Sequence, residues 1–271
     1  MKDLVELYKI HSPSNSKGLT NMLNYLCKWL KEHKIPYTNY KGNLYNFTGS
    51  KFILSAHMDQ VETNGAVEHL RLSVDGFIKG YNKDWQRTSL GADDKNGIWI
   101  IQKVLLNHPD TSFIISCNEE VGCVGIKDVD DAGILKDNIT KDNVCIVLDR
   151  KDDDNILKSG STGDYCSTLA QDLCNFLGSY RYKVTSGTLS DTSVLCKYCE
   201  SVNMSVAYTE AHTKNEKTNW NSLVRILEDV ECIIDGFIHY GTDPSVYVEN
   251  ETKVYKYNKK GYYDDYYWKN Y

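Results

Sequence analysis

No run in the 271-residue chain approaches the ~20 consecutive apolar residues that a membrane-spanning helix needs. Cationic excess is missing as well, since 31 Lys and Arg stand against 37 Asp and Glu for a formal net charge of −6. That balance argues against nucleic acid or an anionic membrane as partner, because such binding displaces counterions with a positive surface. A small molecule is the expected partner. The opening MKDLVELYKI lacks the basic segment and apolar core of a secretion signal, so a cytoplasmic location is expected. One C-x-x-C occurs, at Cys196 and Cys199, with no second such pair and no nearby histidine pair to complete a tetrahedral zinc shell. The nine cysteines, an odd number set in apolar segments such as FIISC, VCIVL and ECIID, fit buried reduced thiols rather than a disulfide framework. There is no internal repeat. Residues 159–163, SGSTG, lack the lysine of a phosphate loop and read as a loop near a site.

What the chain does contain is an alternation of strand-like and helix-like patterns. Leu19, Met22, Leu23, Leu26, Trp29 and Leu30 recur at helical spacing, predicting an amphipathic helix over 17–34 that stops before Pro36. Short β-rich runs follow at 44–47, 52–56, 112–117, 144–149, 180–184 and 202–208, several apolar on both faces as strands covered by helices must be. Helical patterns lie between them at 94–106, 163–177, 190–199 and 219–240. In 62–90 the runs AVEHLRLSV and GFIKGY flank the turn signal Asp75-Gly76 and predict a β-hairpin. The alternation predicts an α/β fold, a three-layer αβα sandwich with a mixed, largely parallel central sheet. A chain of this length buries an ample core without disulfides.

In an open α/β sheet, ligands bind at the carboxyl ends of the strands, so polar residues just past apolar runs are aimed at the site. After FILSA come His57 and Asp59; just before the 94–106 helix come Asp93 and Asp94; after SFIISC come Glu119 and Glu120; VCIVL ends in Asp149; VNMSVAY is followed by His212. Each alone has a bland explanation: a surface His-x-Asp pair, a charge cluster favoured by a helix N-terminus, or the solvated loop DRKDDDN. Their joint order is more informative. Carboxylates and imidazoles converging on one rim make an oxygen- and nitrogen-rich set of the kind that binds zinc, cobalt or manganese.

The segments SAHMDQV, GADDKNG, NEEVG, VLDR and EAHT resemble, in order and composition, the motifs of the zinc-dependent exopeptidase superfamily, which includes peptidase T, acetylornithine-deacetylase-type enzymes and leucyl aminopeptidases. LYKIHSPSNS and KGNLYNF are similar to that superfamily's opening helix and strand, so the resemblance spans about residues 1–240. It implies two divalent metal ions, zinc with cobalt or manganese as alternatives: one held by His57 and Asp149, the second by Glu120 and His212, with Asp93 bridging. It implies catalytic roles for Glu119, as general base to a water between the metals, and for Asp59, whose carboxylate accepts the second imidazole N–H of His57. It also implies a cis peptide bond between Asp93 and Asp94. Lys95 is read as a charge-balancing structural residue and Tyr208 as a packed strand tyrosine.

Many members of the superfamily that the chain resembles carry a lid or dimerisation domain, inserted between the His-x-Asp and the bridging Asp or between the third carboxylate and the final His. The intervals from Asp59 to Asp93 and from Asp149 to His212 leave no room for an extra domain of ~100 residues. Residues 1–250 are therefore expected to form a single catalytic domain without a lid, followed by a tyrosine-rich tail at 251–271. The expected activity is that of a di-zinc aminopeptidase or small-peptide exopeptidase. The alternatives are an N-acyl amino-acid amidohydrolase, a glutaminyl-cyclase-like enzyme, or a non-catalytic binding protein. His11, His33, His69, His108 and His239 fall outside the ligand pattern, and Asp191 reads as the N-cap of a short helix.

Overall fold

Residues Phe52–His57, FILSAH, form a strand buried from end to end. It runs parallel to two other apolar strands, Ser112–Ser116 on one side and Val144–Arg150 on the other. Because side chains alternate across a strand, each sends neighbouring residues to opposite faces. Ile53, Ile114, Cys145 and Val147 enter one buried cluster, while Leu54, Phe113, Ile115, Ile146 and Leu148 enter a second, larger one. Two cores on the two faces of one sheet define a three-layer αβα sandwich.

The structure, a computed structural model, describes residues 1–178 and 180–237, and residues Met1–Phe237 form one compact unit. The sheet runs Thr38–Tyr40, Asn43–Asn46, Ser112–Ser116, Phe52–His57, Val144–Arg150, Glu200–Ser205, Asn155–Gly160, Gly163–Asp164, with Lys183–Ser186 also pairing with Asn155–Gly160. The four central strands are parallel and both ends contain antiparallel pairs, so the sheet is mixed. Ala92–Asn107 packs on the larger core face through Ile98, Ile101, Val104 and Leu105, beside Lys2–Lys9, Lys17–Glu32 and Trp220–Gly236. Val124–Asp131, Ile134–Asn138 and Thr192–Leu195 cover the other face through Ile126, Val129, Leu135, Val194 and Leu195. Each fully buried Leu or Ile contributes about 1.5–3 kcal/mol relative to exposure, so both faces are strongly driven. Ser16 Oγ accepts the Leu19 N–H and fixes the start of Lys17–Glu32, while Asn219 Oδ1 accepts Ser222 N–H and starts Trp220–Gly236.

A second, smaller sheet stands beside the first. His69–Leu72 and Phe77–Tyr81 form the hairpin predicted around Asp75-Gly76, with Gly76 at φ 82. Arg87–Thr88 and Lys217–Asn219 pair with Phe77–Tyr81, and Tyr208–Thr209 extends the order at Lys217–Asn219. The sequence gives no local sign of this pairing, which joins segments far apart in the chain.

Several predicted spans shrink or shift. Only Leu169–Leu177 of the expected 163–177 helix is helical; Gly163 at φ 123 pairs across from Gly160 instead, so SGSTG is a hairpin rather than an open loop. The 180–184 strand is Lys183–Ser186, the 190–199 helix is the single turn Thr192–Leu195, and the 202–208 strand is Glu200–Ser205. Chain direction breaks after Ser205 because Ala207 adopts φ 65. The helix expected over 219–240 is seen as Trp220–Gly236. Its last residues, His239, the 250/251 boundary and the tail lie outside the described residues. No described helix is long and apolar enough to cross a membrane.

Candidate metal centre

Three adjacent parallel strands deliver their ends to one edge of the sheet, with His57 level with Ser116. Phe52–His57 ends in His57, Ser112–Ser116 leads into Glu119 and Glu120, and Val144–Arg150 carries Asp149 one residue inside its end. Asp93 lies in the first turn of Ala92–Asn107, next to the cis Asp93–Asp94 peptide. His212 comes from the smaller sheet, in the connection between Tyr208–Thr209 and Lys217–Asn219, at φ 61.

These positions converge. His57 Nε2 is 3.1 Å from Asp93 Oδ1 and 3.5 Å from Asp149 Oδ1. His212 Nε2 is 3.1 Å from Asp93 Oδ2 and 3.0 Å from Glu120 Oε1. Asp93 thus faces one imidazole with each oxygen. His57, Asp93 and Asp149 form one group whose ligand atoms all lie within 4.8 Å of one another, and Asp93, Glu120 and His212 form another. Glu119 belongs to neither, and its Oε2 is 3.9 Å from His57 Nε2.

Asp59 is arranged differently from the expectation. Its Oδ1 is 3.6 Å from His57 Nδ1, too far for a hydrogen bond, whereas the Asp59 backbone carbonyl is at 3.1 Å from the same nitrogen. The carboxylate instead accepts the backbone N–H groups of Glu119 at 2.9 Å and Glu120 at 3.2 Å, plus the Ser14 hydroxyl at 2.6 Å. It holds the turn that presents the two glutamates. The backbone carbonyl fixes the His57 tautomer: with the proton on Nδ1, the Nε2 lone pair faces Asp93 and Asp149.

Glu216, which the sequence reading does not single out, and Asp94, which it places beside Asp93, hold the centre from behind. Buried Glu216 accepts the backbone N–H groups of Ala92 and Asp93, each at 3.1 Å, and the Ser89 hydroxyl. Asp94, also buried, accepts His57 N–H and Gly97 N–H, each at 3.1 Å. Lys95 does not pair with a carboxylate; its buried ammonium donates to Gln60 Oε1 at 2.6 Å and the Leu90 carbonyl, and burial pulls it down to about 7. Tyr208 is buried in the core and its hydroxyl donates to the Asp149 carbonyl at 3.1 Å. None of Cys196, Cys199, His11, His33, His69 and His108 belongs to a metal-capable group among the described residues.

The electrostatics are those of too much negative charge in too little water. Burial, reinforced by Asp149, Asp191 and Glu120, pushes Glu119 up to about 9. Burial and Asp93 push Asp149 up to about 7 despite His57. Burial would raise Asp93 as well, but His212 and His57 hold it far below the carboxylate range. Asp93 and Glu120 push His212 up to about 10. A divalent cation would reverse this logic by favouring the ionised carboxylates and neutral imidazoles. The donor geometry fits one. An imidazole lone pair 3.1 Å from a carboxylate oxygen is repulsive unless a proton or cation lies between, and Glu120 Oε1 is buried without a hydrogen bond although His212 Nε2 is 3.0 Å away.

No family model and no curated protein matches the chain. Solved structures do. A tripeptidase from Staphylococcus aureus is 18% identical over 86% of this chain and 96% of its own, with a TM-score of 0.68. The aminopeptidase PepT from Bacillus cereus is 15% identical over 86% of this chain and 96% of its own, with a TM-score of 0.68. The TET1 peptidase of Pyrococcus horikoshii, which can assemble into a tetrahedron or a large octahedral shell, is 12% identical over 85% and 99%, with a TM-score of 0.64. The architecture common to them and to this chain is the αβα sandwich with a largely parallel central sheet. The chain is similar to these peptidases over almost their whole length, and shares that fold with them.

Proposed function

We propose that the chain is a metal-dependent hydrolase, an exopeptidase that removes residues from small peptides and acts at a free amino terminus. The observation that carries this reading is Asp93, whose two oxygens face His57 and His212 and so join two three-residue groups into one centre. His57 and Asp149 would hold one ion, Glu120 and His212 the other, and Asp93 both; zinc suits the set, with cobalt or manganese as alternatives. Two ions bound there would supply Lewis-acid polarisation of the scissile carbonyl and acidify the attacking water.

The chain's own residues complete the chemistry. Glu119, outside both groups but beside His57, takes the proton of the attacking water on its carboxylate and returns it to the departing amine nitrogen. Asp59 keeps Glu119 in register through the backbone bond at 2.9 Å. The intervals where a lid would be inserted are filled by the smaller sheet and by strands of the main one, all within the unit Met1–Phe237, which supports a single catalytic domain with an open rim. Such a rim admits a short peptide end-on. The test is hydrolysis of aminoacyl-anilides against N-acetyl amino acids, before and after chelation and with zinc, cobalt or manganese restored. Chelator-sensitive cleavage of the anilides supports the reading, and cleavage of the N-acetyl compounds alone replaces it with an amidohydrolase.

A further inference from the structure

A third set of metal-ligating atoms gathers apart from the two groups that share Asp93. Glu119, Cys123 and Asp191 each offer an atom within 4.8 Å of the others. The first two belong to one turn: the backbone N–H groups of Gly122 and Cys123 both donate to the Glu119 carbonyl, at 2.8 Å and 2.7 Å. That turn stands the thiol over the carboxylate, with Cys123 Sγ 3.4 Å from Glu119 Oε1. Cys123 is fully buried, so its only neighbours are those the fold supplies.

Asp191 adds an independent observation. It occupies the position before Thr192–Leu195 where a carboxylate would cap the helix, yet it makes no side-chain cap bond. Its Oδ2 accepts the Ser116 hydroxyl, and its Oδ1 is buried with no N–H or O–H donor among the described residues, the Cys123 thiol facing the same carboxylate. Asp191 as a whole is only 2% exposed. A buried carboxylate oxygen without such a donor is costly, and a fold that keeps one beside a thiol and a second carboxylate has the makings of a ligand set.

We propose that Cys123 Sγ, Asp191 and Glu119 form a third cation site, selective for a thiophilic divalent ion such as zinc or cadmium, whose filling inhibits the enzyme by engaging the Glu119 carboxylate. One soft sulfur and two carboxylates satisfy three positions of a tetrahedral ion and leave the fourth to water. The sulfur sets the selectivity: manganese, which favours oxygen and which the Asp93 centre would hold, gains little here. Capture breaks the Cys123 S–H bond, forms a sulfur–metal bond and releases one proton to solvent, with no change of oxidation state. The inhibitory half rests on Glu119 acting as the base proposed above; the binding half does not.

The full chain loaded with manganese is titrated with cadmium, following the ultraviolet charge-transfer absorption of a cadmium thiolate together with proton release and anilide hydrolysis. Eight other cysteines are present, so the readout is the difference between the wild-type protein and Cys123→Ser, with Cys123→Ala as a second variant and circular dichroism to verify folding. The expected result is one saturable absorbing step that is lost in both variants and weakened at least tenfold in Asp191→Asn. Turnover falls in step with it in the wild type and is spared in Cys123→Ser. An absorbing step of equal midpoint and amplitude in Cys123→Ser overturns the site. A Cys123-dependent step with undiminished turnover overturns the inhibitory half. Should the manganese enzyme hydrolyse nothing, the proposed activity fails while absorption and proton release still decide the site.

Discussion

Glu216 Oε1 accepts the backbone N–H of Asp93 at 3.1 Å, so the carboxylate that faces both histidines is anchored by a residue four positions beyond one of them. In Glu216→Gln one acceptor becomes a donor facing an N–H or a hydroxyl. The variant is expected to lose about 1–3 kcal/mol of stability, the cost of an unsatisfied buried group, and to bind its ions more weakly. Urea denaturation and metal analysis after dialysis measure both; an unchanged midpoint and ion content would show that Glu216 is passive.

Asp59 holds Glu119 and Glu120 by their backbones. Asp59→Asn keeps one acceptor and places an amide against the remaining donors. Turnover is expected to fall about 10–100-fold, as for other groups that orient a metal site, with kcat changing more than KM. Steady-state kinetics on a short peptide check this, and Ser14→Ala, which removes one of the three donors to Asp59, is expected to have a smaller effect.

Base and ligand separate by variant. Glu119→Gln is expected to keep its ions and lose about 10²–10⁴-fold in turnover. His57→Ala and Asp93→Ala are expected to lose ions first. Metal analysis beside kinetics distinguishes the two patterns, and full activity in Glu119→Gln would remove that residue from the role.

Gly97 sits where the Ala92–Asn107 helix crosses the Val144–Arg150 strand, and a Cβ there would lie 2.1 Å from the Leu148 carbonyl and 2.5 Å from Asp94 Oδ1. Gly97→Ala is expected to push the helix off the strand, costing about 1–3 kcal/mol by overpacking. Because the same helix carries Asp93 and the strand carries Asp149, ion affinity is expected to fall with stability, as calorimetry with and without zinc would report.

All nine cysteines are free; Cys27, Cys196 and Cys232 are partly exposed and the other six are buried. A thiol reagent is expected to label three quickly in the native chain and nine after unfolding. Burial pushes the Cys117, Cys174 and Cys199 thiols up from 9.0 to about 11. The folded state therefore keeps protons that the unfolded chain releases, so this contribution to stability is intact below pH 9 and lost as pH rises towards 11. Urea midpoints measured across that window should decline.

The central sheet was legible because FILSAH, SFIIS and VCIVL are apolar on both faces, a pattern that only strands covered on both sides can satisfy. The polar residues that follow those runs converge for the same reason: parallel neighbours end on one edge. Glu216 was not legible. It stands in HTKNEKT, whose charges read locally as a solvated loop, and its burial depends on partners at 89–93. Asp191 reads as a cap from its neighbours, but the Ser116 hydroxyl, 75 positions away, takes its carboxylate. The helix expected over 163–177 overshoots because GDYCST offers helical spacing without helix-forming residues, and Gly163 takes the backbone into a turn.

The smaller sheet starts with His69–Leu72 and is finished only by Lys217–Asn219, in the middle of which Thr218 accepts the hydroxyl of Tyr8 from 210 positions away. During synthesis, His212 therefore cannot take its place opposite His57 until nearly the whole compact unit has left the ribosome. Forms ending before that last strand are expected to leave the two groups around Asp93 incomplete.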